Sequence, residues 1–162
     1  MTLKQDFFLE TKFSNEIKAI LGQSFIEKDI EADLQKGQDF AIYNVKPFKV
    51  AVRLRRFTYF PSFHNQFTIR YSRPLGTPTE IDKIQQGLVR YFLYGFIDQE
   101  ETKIIQYFLA DLLKFGNPPP IHEYPNYPPD STFAVFELSQ FPKDFIVTHW
   151  CDRKFEKYKW WG

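Results

Sequence analysis

At 162 residues and 43% hydrophobic content, the chain is long and apolar enough for one globular domain with a real core, which excludes a disordered or fibrous protein. A single cysteine, Cys151, excludes a disulfide framework and a multi-cysteine zinc site, and no apolar run approaches the roughly 20 residues that span a bilayer. The net charge of +1 hides an uneven distribution: from Lys46 to Arg73 there are seven Lys or Arg and no Asp or Glu, as on a surface that faces a polyanion.

The predicted elements begin with a helix over Leu3–Leu21, where Phe7, Phe13, Ile17, Ile20 and Leu21 recur near a 3.6-residue period and Gly22 supplies a stop. Glu10 borders that apolar stripe. Phe25–Gly37 reads as a charged connector. Gln38–Asn44 and Phe48–Arg56 read as a hairpin with Pro47 at its turn, and Gln66–Ser72 as a third strand of the same sheet. The run Thr77-Pro78-Thr79-Glu80 signals a capped helix start, with the helix expected over Thr79–Arg90. Tyr91–Ile97 reads as a strand. Glu100–Phe115 reads as a helix, with apolar residues at 104, 105, 108, 109, 112 and 113. Asn117–Pro129, with six prolines, reads as a loop, and Thr132–Leu138 and Phe145–Trp150 as further strands.

The stretch Asp39–Arg56 carries the chemistry. An acid opens its first strand, and on the second strand Lys49, Ala51, Arg53 and Arg55 share one face while Val50, Val52 and Leu54 fill the other. Charges pressed against a core are costly unless paired or bound, so that face is expected to meet water, anions or metal ions. Gln66, Thr68, Arg70 and Ser72 share a face of the next strand. These residue types read base edges and hold phosphates, and Arg56 and Arg73 extend the basic surface. With 9 Tyr and 3 Trp beside 19 Phe, a Phe-rich core and exposed aromatic side chains at a binding surface are expected. Glu80 and Lys83 read as a surface pair, and His64, His122 and His149 show no metal-ligand spacing.

The order helix, three strands, helix, strand, with Glu10 on the first helix and Asp39 at a strand start, resembles the PD-(D/E)XK, or restriction-endonuclease-like, nucleases and, less closely, the homing endonucleases built on that fold. The resemblance covers about Met1 to Ile97. The acid–X–Lys element of that family is missing: Arg53-X-Arg55 stands in its place. The resemblance implies an α/β (α+β) αβββαβ core with a mixed sheet flanked by helices, within one domain over residues 1–162. It implies Mg²⁺ held by Glu10 and Asp39, with Arg53 and Arg55 at the scissile phosphate, and metal-dependent cleavage of double-stranded DNA by a homo-oligomer. Gln66, Thr68, Arg70, Arg73 and Arg56 are the expected DNA contacts. A cytoplasmic setting is expected from the lone cysteine and from the charged N-terminus without an apolar signal core. The alternatives are a non-catalytic DNA-binding module on the same fold and a protein-interaction domain.

Overall fold

The structure, a computed structural model, describes residues 3–24, 49–73, 76–126 and 131–159. The predicted strand Gln38–Asn44 and Asp39 lie outside these residues. Helix α1 (Leu3–Lys12) is followed, after a one-residue turn at Phe13, by α2 (residues 14–24). The hydrogen bonds Phe13 N to Leu9 O (3.0 Å) and Ile17 N to Phe13 O (2.9 Å) carry the helix across that turn.

Among the described residues, seven strands form two sheets. The first sheet contains β1 (Val50–Arg55), β3 (Tyr91–Ile97), β4 (Ile104–Asp111) and β7 (Ile146–Cys151), in the order β1-β3-β4-β7. It is mixed: β1 runs parallel to β3, with Val50 opposite Tyr91 and Arg55 opposite Phe96, and the other pairs are antiparallel. The second sheet is antiparallel, in the order β2 (Gln66–Ser72), β6 (Thr132–Glu137), β5 (His122–Pro125). Between β1 and β3 lie α3 (Phe60–Phe63), β2 and α4 (Glu80–Gln85).

The α+β class stands, with corrections to the sequence expectation. The first helical segment runs on through Gly22 to residue 24, and His122–Pro125, inside the expected loop, forms β5. Gln66–Ser72 forms a strand but joins the second sheet, paired with β6 rather than with β1. The expected helix over Glu100–Phe115 is instead a strand followed by a single 3₁₀ turn. Strand β4 lies between β3 and β7 with both faces covered, so it reads as an almost unbroken apolar run. In such a run, apolar positions also fall at helical spacing.

The core has two layers. Phe67 and Ile69 of β2 and Ala134 and Phe136 of β6 meet Phe92, Tyr94 and Phe96 of β3 and Phe108 of β4 between the sheets. Rings pack there mostly edge-on or tilted: Phe67 lies 5.7 Å from Phe108 and 6.0 Å from Phe92. Each such fully buried ring contributes about 1.5–3 kcal/mol, so this Phe-rich layer dominates the packing energy. On the far side of the first sheet, Leu9, Phe13, Ile17 and Ile20 pack on Leu54, Leu93, Ile97 and Leu109. Phe13, Ile17 and Ile20 belong to the helical stripe read from the sequence, Leu9 joins them, and together they bring α1 against β1. Among the described residues, no helix is long and apolar enough to cross a membrane.

Helix α4 starts one residue later and ends earlier than expected. Thr79 is its N-cap: Asp82 N donates to Thr79 Oγ1 (3.4 Å) and Thr79 N to Asp82 Oδ2 (2.7 Å), which closes a capping box. Gly87, at φ +67°, ends the helix. Its N–H reaches Ile84 O (3.0 Å) and Leu88 N–H reaches Lys83 O (2.9 Å), the paired bonds of a Schellman motif.

Gly95 in β3 sits where three strands converge. A Cβ there would stand 2.9 Å from Gln106 O and 3.2 Å from Leu54 Cδ2. The first obstacle is backbone and cannot swing aside. Gly95→Ala should therefore lower stability by about 1–3 kcal/mol, measured by urea unfolding. An unchanged midpoint would show that β3 and β4 can part at no cost.

The β3–β4 turn is held by Asp98, whose carboxylate accepts from Thr102 N (2.6 Å), Thr102 Oγ1 (2.5 Å) and Lys103 N (3.1 Å). Burial pushes this carboxyl up, but the three hydrogen bonds together outweigh it and hold the group below the usual carboxylate range. The charged form therefore stabilises the fold above the unfolded value of about 3.9, and that contribution is lost as pH falls through the lower folded value. Asp98→Asn should be less stable at neutral pH and should lose less stability than the wild type on acidification below about pH 4. Parallel acid-unfolding curves for the two proteins would contradict this assignment.

Candidate functional site

Among the described residues β1 is an edge of its sheet, and a cavity of about 370 Å³ wraps that edge. Its polar groups are Glu10 from α1, Arg53 from β1, Arg70 from β2, and Glu80 and Lys83 from α4; Val50, Val52 and Ile69 are among its apolar walls. Close packing of α1 on β1 brings Glu10 to this edge, half-buried, because Leu9 and Phe13 on either side of it are anchored in the core.

Glu80 organises the cavity. One carboxylate oxygen makes a short ion pair with Arg53 Nη2, and the other accepts from the backbone N–H of Arg70 at 2.9 Å. Arg53 Nη1 lies 3.4 Å from both Thr68 O and Thr68 Oγ1. The guanidinium carbons of Arg53 and Arg70 stand 5.3 and 5.5 Å from the centre of the Phe133 ring, so one aromatic face serves two cations. Both arginines are only 4% exposed. On the cationic face of β1 the central Arg53 is therefore buried and paired inside the molecule, whereas Lys49 is exposed.

A second groove, of about 460 Å³, lies along β2, β5 and β6. Arg55, Gln66, Thr68 and His122 line it together with the rings of Tyr59, Tyr124 and Phe133. The Arg55 guanidinium stacks on Tyr59, 4.4 Å from the ring centre. Arg53, Arg56 and Arg90 each pair with a carboxylate, whereas Arg55 has no carboxylate partner among the described residues.

The sequence-predicted residues thus divide. Glu10, Arg53 and Arg70 share the first cavity, while Arg55, Gln66 and Thr68 line the second. Asp39 lies outside the described residues. Arg56 is bonded through Nε to Glu101 at 2.8 Å, in a cluster with Lys12 at 3.8 Å from the same carboxylate. Arg73 is half-buried just beyond β2. Arg70 was expected to present its guanidinium to a DNA groove; the structure instead buries it between β2, Phe133 and α4, because it stands opposite Phe133 in the β2–β6 register. Glu80 and Lys83 do not form the expected surface pair, since Glu80 turns to Arg53. The aromatic groove went unread in the sequence because its rings come from positions as distant as Tyr59 and Phe133.

Among the described residues, no group of three or more His, Cys, Asp or Glu is arranged to hold a metal ion. Cys151 is half-buried, and burial pushes its thiol above the ordinary range, which is the opposite of an activated nucleophile. Comparison with known proteins finds no family model that matches the chain, and neither a curated protein nor a solved structure that is similar to it.

Proposed function

We propose that the protein is a divalent-metal-dependent endonuclease acting on double-stranded DNA as a homo-oligomer, with its reaction centre at the edge of β1. The observation that supports this reading most is that Glu10, carried on the first helix, lines the same cavity as the buried cations Arg53 and Arg70. A carboxylate beside fixed positive charge suits a site that must hold both a hard cation and a phosphate. Glu10 offers the carboxylate oxygen that Mg²⁺ takes, Asp39, outside the described residues, is the proposed second carboxylate, and Glu80 is already engaged by Arg53 and the Arg70 amide.

Bound there, the ion would supply Lewis-acid polarisation of the phosphate and a more acidic water. Glu10 and Asp39 would hold it. Arg53 and Arg70, fixed by Glu80 and Phe133, give the cavity a standing positive potential that favours the phosphate and the charge growing on it. Neither arginine takes a proton from water, because guanidinium stays protonated at working pH. Arg55, Gln66, Thr68, Arg56 and Arg73 contact the DNA away from the reacting bond.

The test is incubation of supercoiled plasmid with the protein in Mg²⁺, Ca²⁺ or EDTA. Cleavage in Mg²⁺ that is lost in EDTA is the expected result, and DNA retention in Ca²⁺ without cleavage would fit the same site. A second reading, a non-catalytic DNA-binding module, is favoured by the Arg53–Glu80 pair, which ties up the side chain standing where the nucleases carry their acid–X–Lys element. Salt-dependent DNA binding with no cleavage in any divalent metal would select it and overturn the enzyme.

A further inference from the structure

We propose that the groove along β2, β5 and β6 takes one unstacked nucleobase, with its adjoining phosphate at Arg55. The proposal rests on nucleic-acid recognition by this protein, but not on cleavage. Three independent features carry it. The first is stacking surface: Tyr124 is 54% exposed and Phe63 47%, and both rings line the groove. Large rings left open beside polar groups mark a ligand surface rather than a core. The second is charge. Arg55 lies on Tyr59 with no carboxylate partner among the described residues, so no acid there offsets its charge, whereas a carboxylate partly offsets Arg53 and Arg56. The third is edge chemistry and size. Gln66, Thr68 and His122 bring amide, hydroxyl and imidazole groups into the groove, and its volume of about 460 Å³ falls within the range of small-ligand sites. Ring faces, a free guanidinium and hydrogen-bonding side chains are what proteins use to hold splayed bases of single strands.

The base can come from a single strand or from a nucleotide turned out of a duplex, and the test separates the two. A short, dye-labelled single-stranded oligonucleotide is titrated by anisotropy in EDTA, beside a duplex carrying 2-aminopurine at a mismatch. Binding of the single strand, or a rise in 2-aminopurine emission on binding the duplex, is expected. Tyr124→Ala, at an exposed position of β5, should weaken binding about tenfold with the melting temperature checked alongside, and Tyr124→Phe should restore it. Arg55→Gln should weaken binding and flatten its salt dependence. Failure of both probes to respond, or wild-type affinity in Tyr124→Ala, would overturn the groove. Plasmid left uncut while the oligonucleotide binds would remove the nuclease reading alone; plasmid cut while Tyr124→Ala binds normally would remove the groove alone.

Discussion

Glu80→Ala should destabilise the protein by about 2–3 kcal/mol and lower its melting temperature by roughly 5–10 °C. Arg53 has only 5% of its side chain exposed, and Glu80 is its sole ion-pair partner among the described residues. Removing the carboxylate leaves a guanidinium in the interior with two long contacts to Thr68 and one ring face. It also strips the Arg70 N–H of its acceptor. Breaking a buried pair from one side costs about 3–5 kcal/mol; the Glu80 side chain is 33% exposed, so water reaches the gap and the lower figure applies. Glu80→Gln, which keeps an acceptor but not the charge, should fall between. Arg53→Met combined with Glu80→Leu should recover much of the loss, because neither charge then remains buried. Thermal unfolding of the four proteins measures this, and a wild-type melting temperature in Glu80→Ala would mean that Arg53 is not held by this pair.

Asp39→Ala should abolish plasmid cleavage, by at least about a thousandfold, which corresponds to roughly 4 kcal/mol of lost transition-state stabilisation. Glu10→Ala should do the same, since either substitution removes a carboxylate from the proposed metal. DNA binding in Ca²⁺-free buffer should persist in both, because the cations that meet phosphate are untouched. Glu10 is half-buried beside Leu9 and Phe13, so Glu10→Gln is the safer companion for folding and should also lose cleavage. Full activity in Asp39→Ala would leave the enzyme reading without its second ligand and so refute the proposed centre.

Local patterns carried much of the fold. The α1–α2 stripe, the alternation in Val50–Arg55 and the apolar run Tyr91–Ile97 appear where the sequence puts them, whereas α4 stops at the left-handed Gly87, short of the expected Arg90. What failed was non-local. Nothing near Gln66–Ser72 says that Gln66 pairs with Glu137 rather than with β1. Burial of β4 on both faces erased the period-two signal that marks a half-buried strand. At the site, the shared face of Lys49, Arg53 and Arg55 was legible, and so was its demand for a partner. That the partner is Glu80, 27 residues further on, was not, because α4 reaches β1 only through the crossover. The same crossover buries Arg70, which from alternation alone resembles its groove-lining neighbours Gln66 and Thr68.

The most direct test of the proposed centre is an anomalous-scattering map from crystals soaked in Mn²⁺ with DNA withheld. One strong peak is expected at the edge of β1, within about 2.0–2.6 Å of carboxylate oxygens from both Glu10 and Asp39, and none on Glu80. Mn²⁺ bound elsewhere, or a peak on Glu10 that persists unchanged in Asp39→Ala, would contradict it.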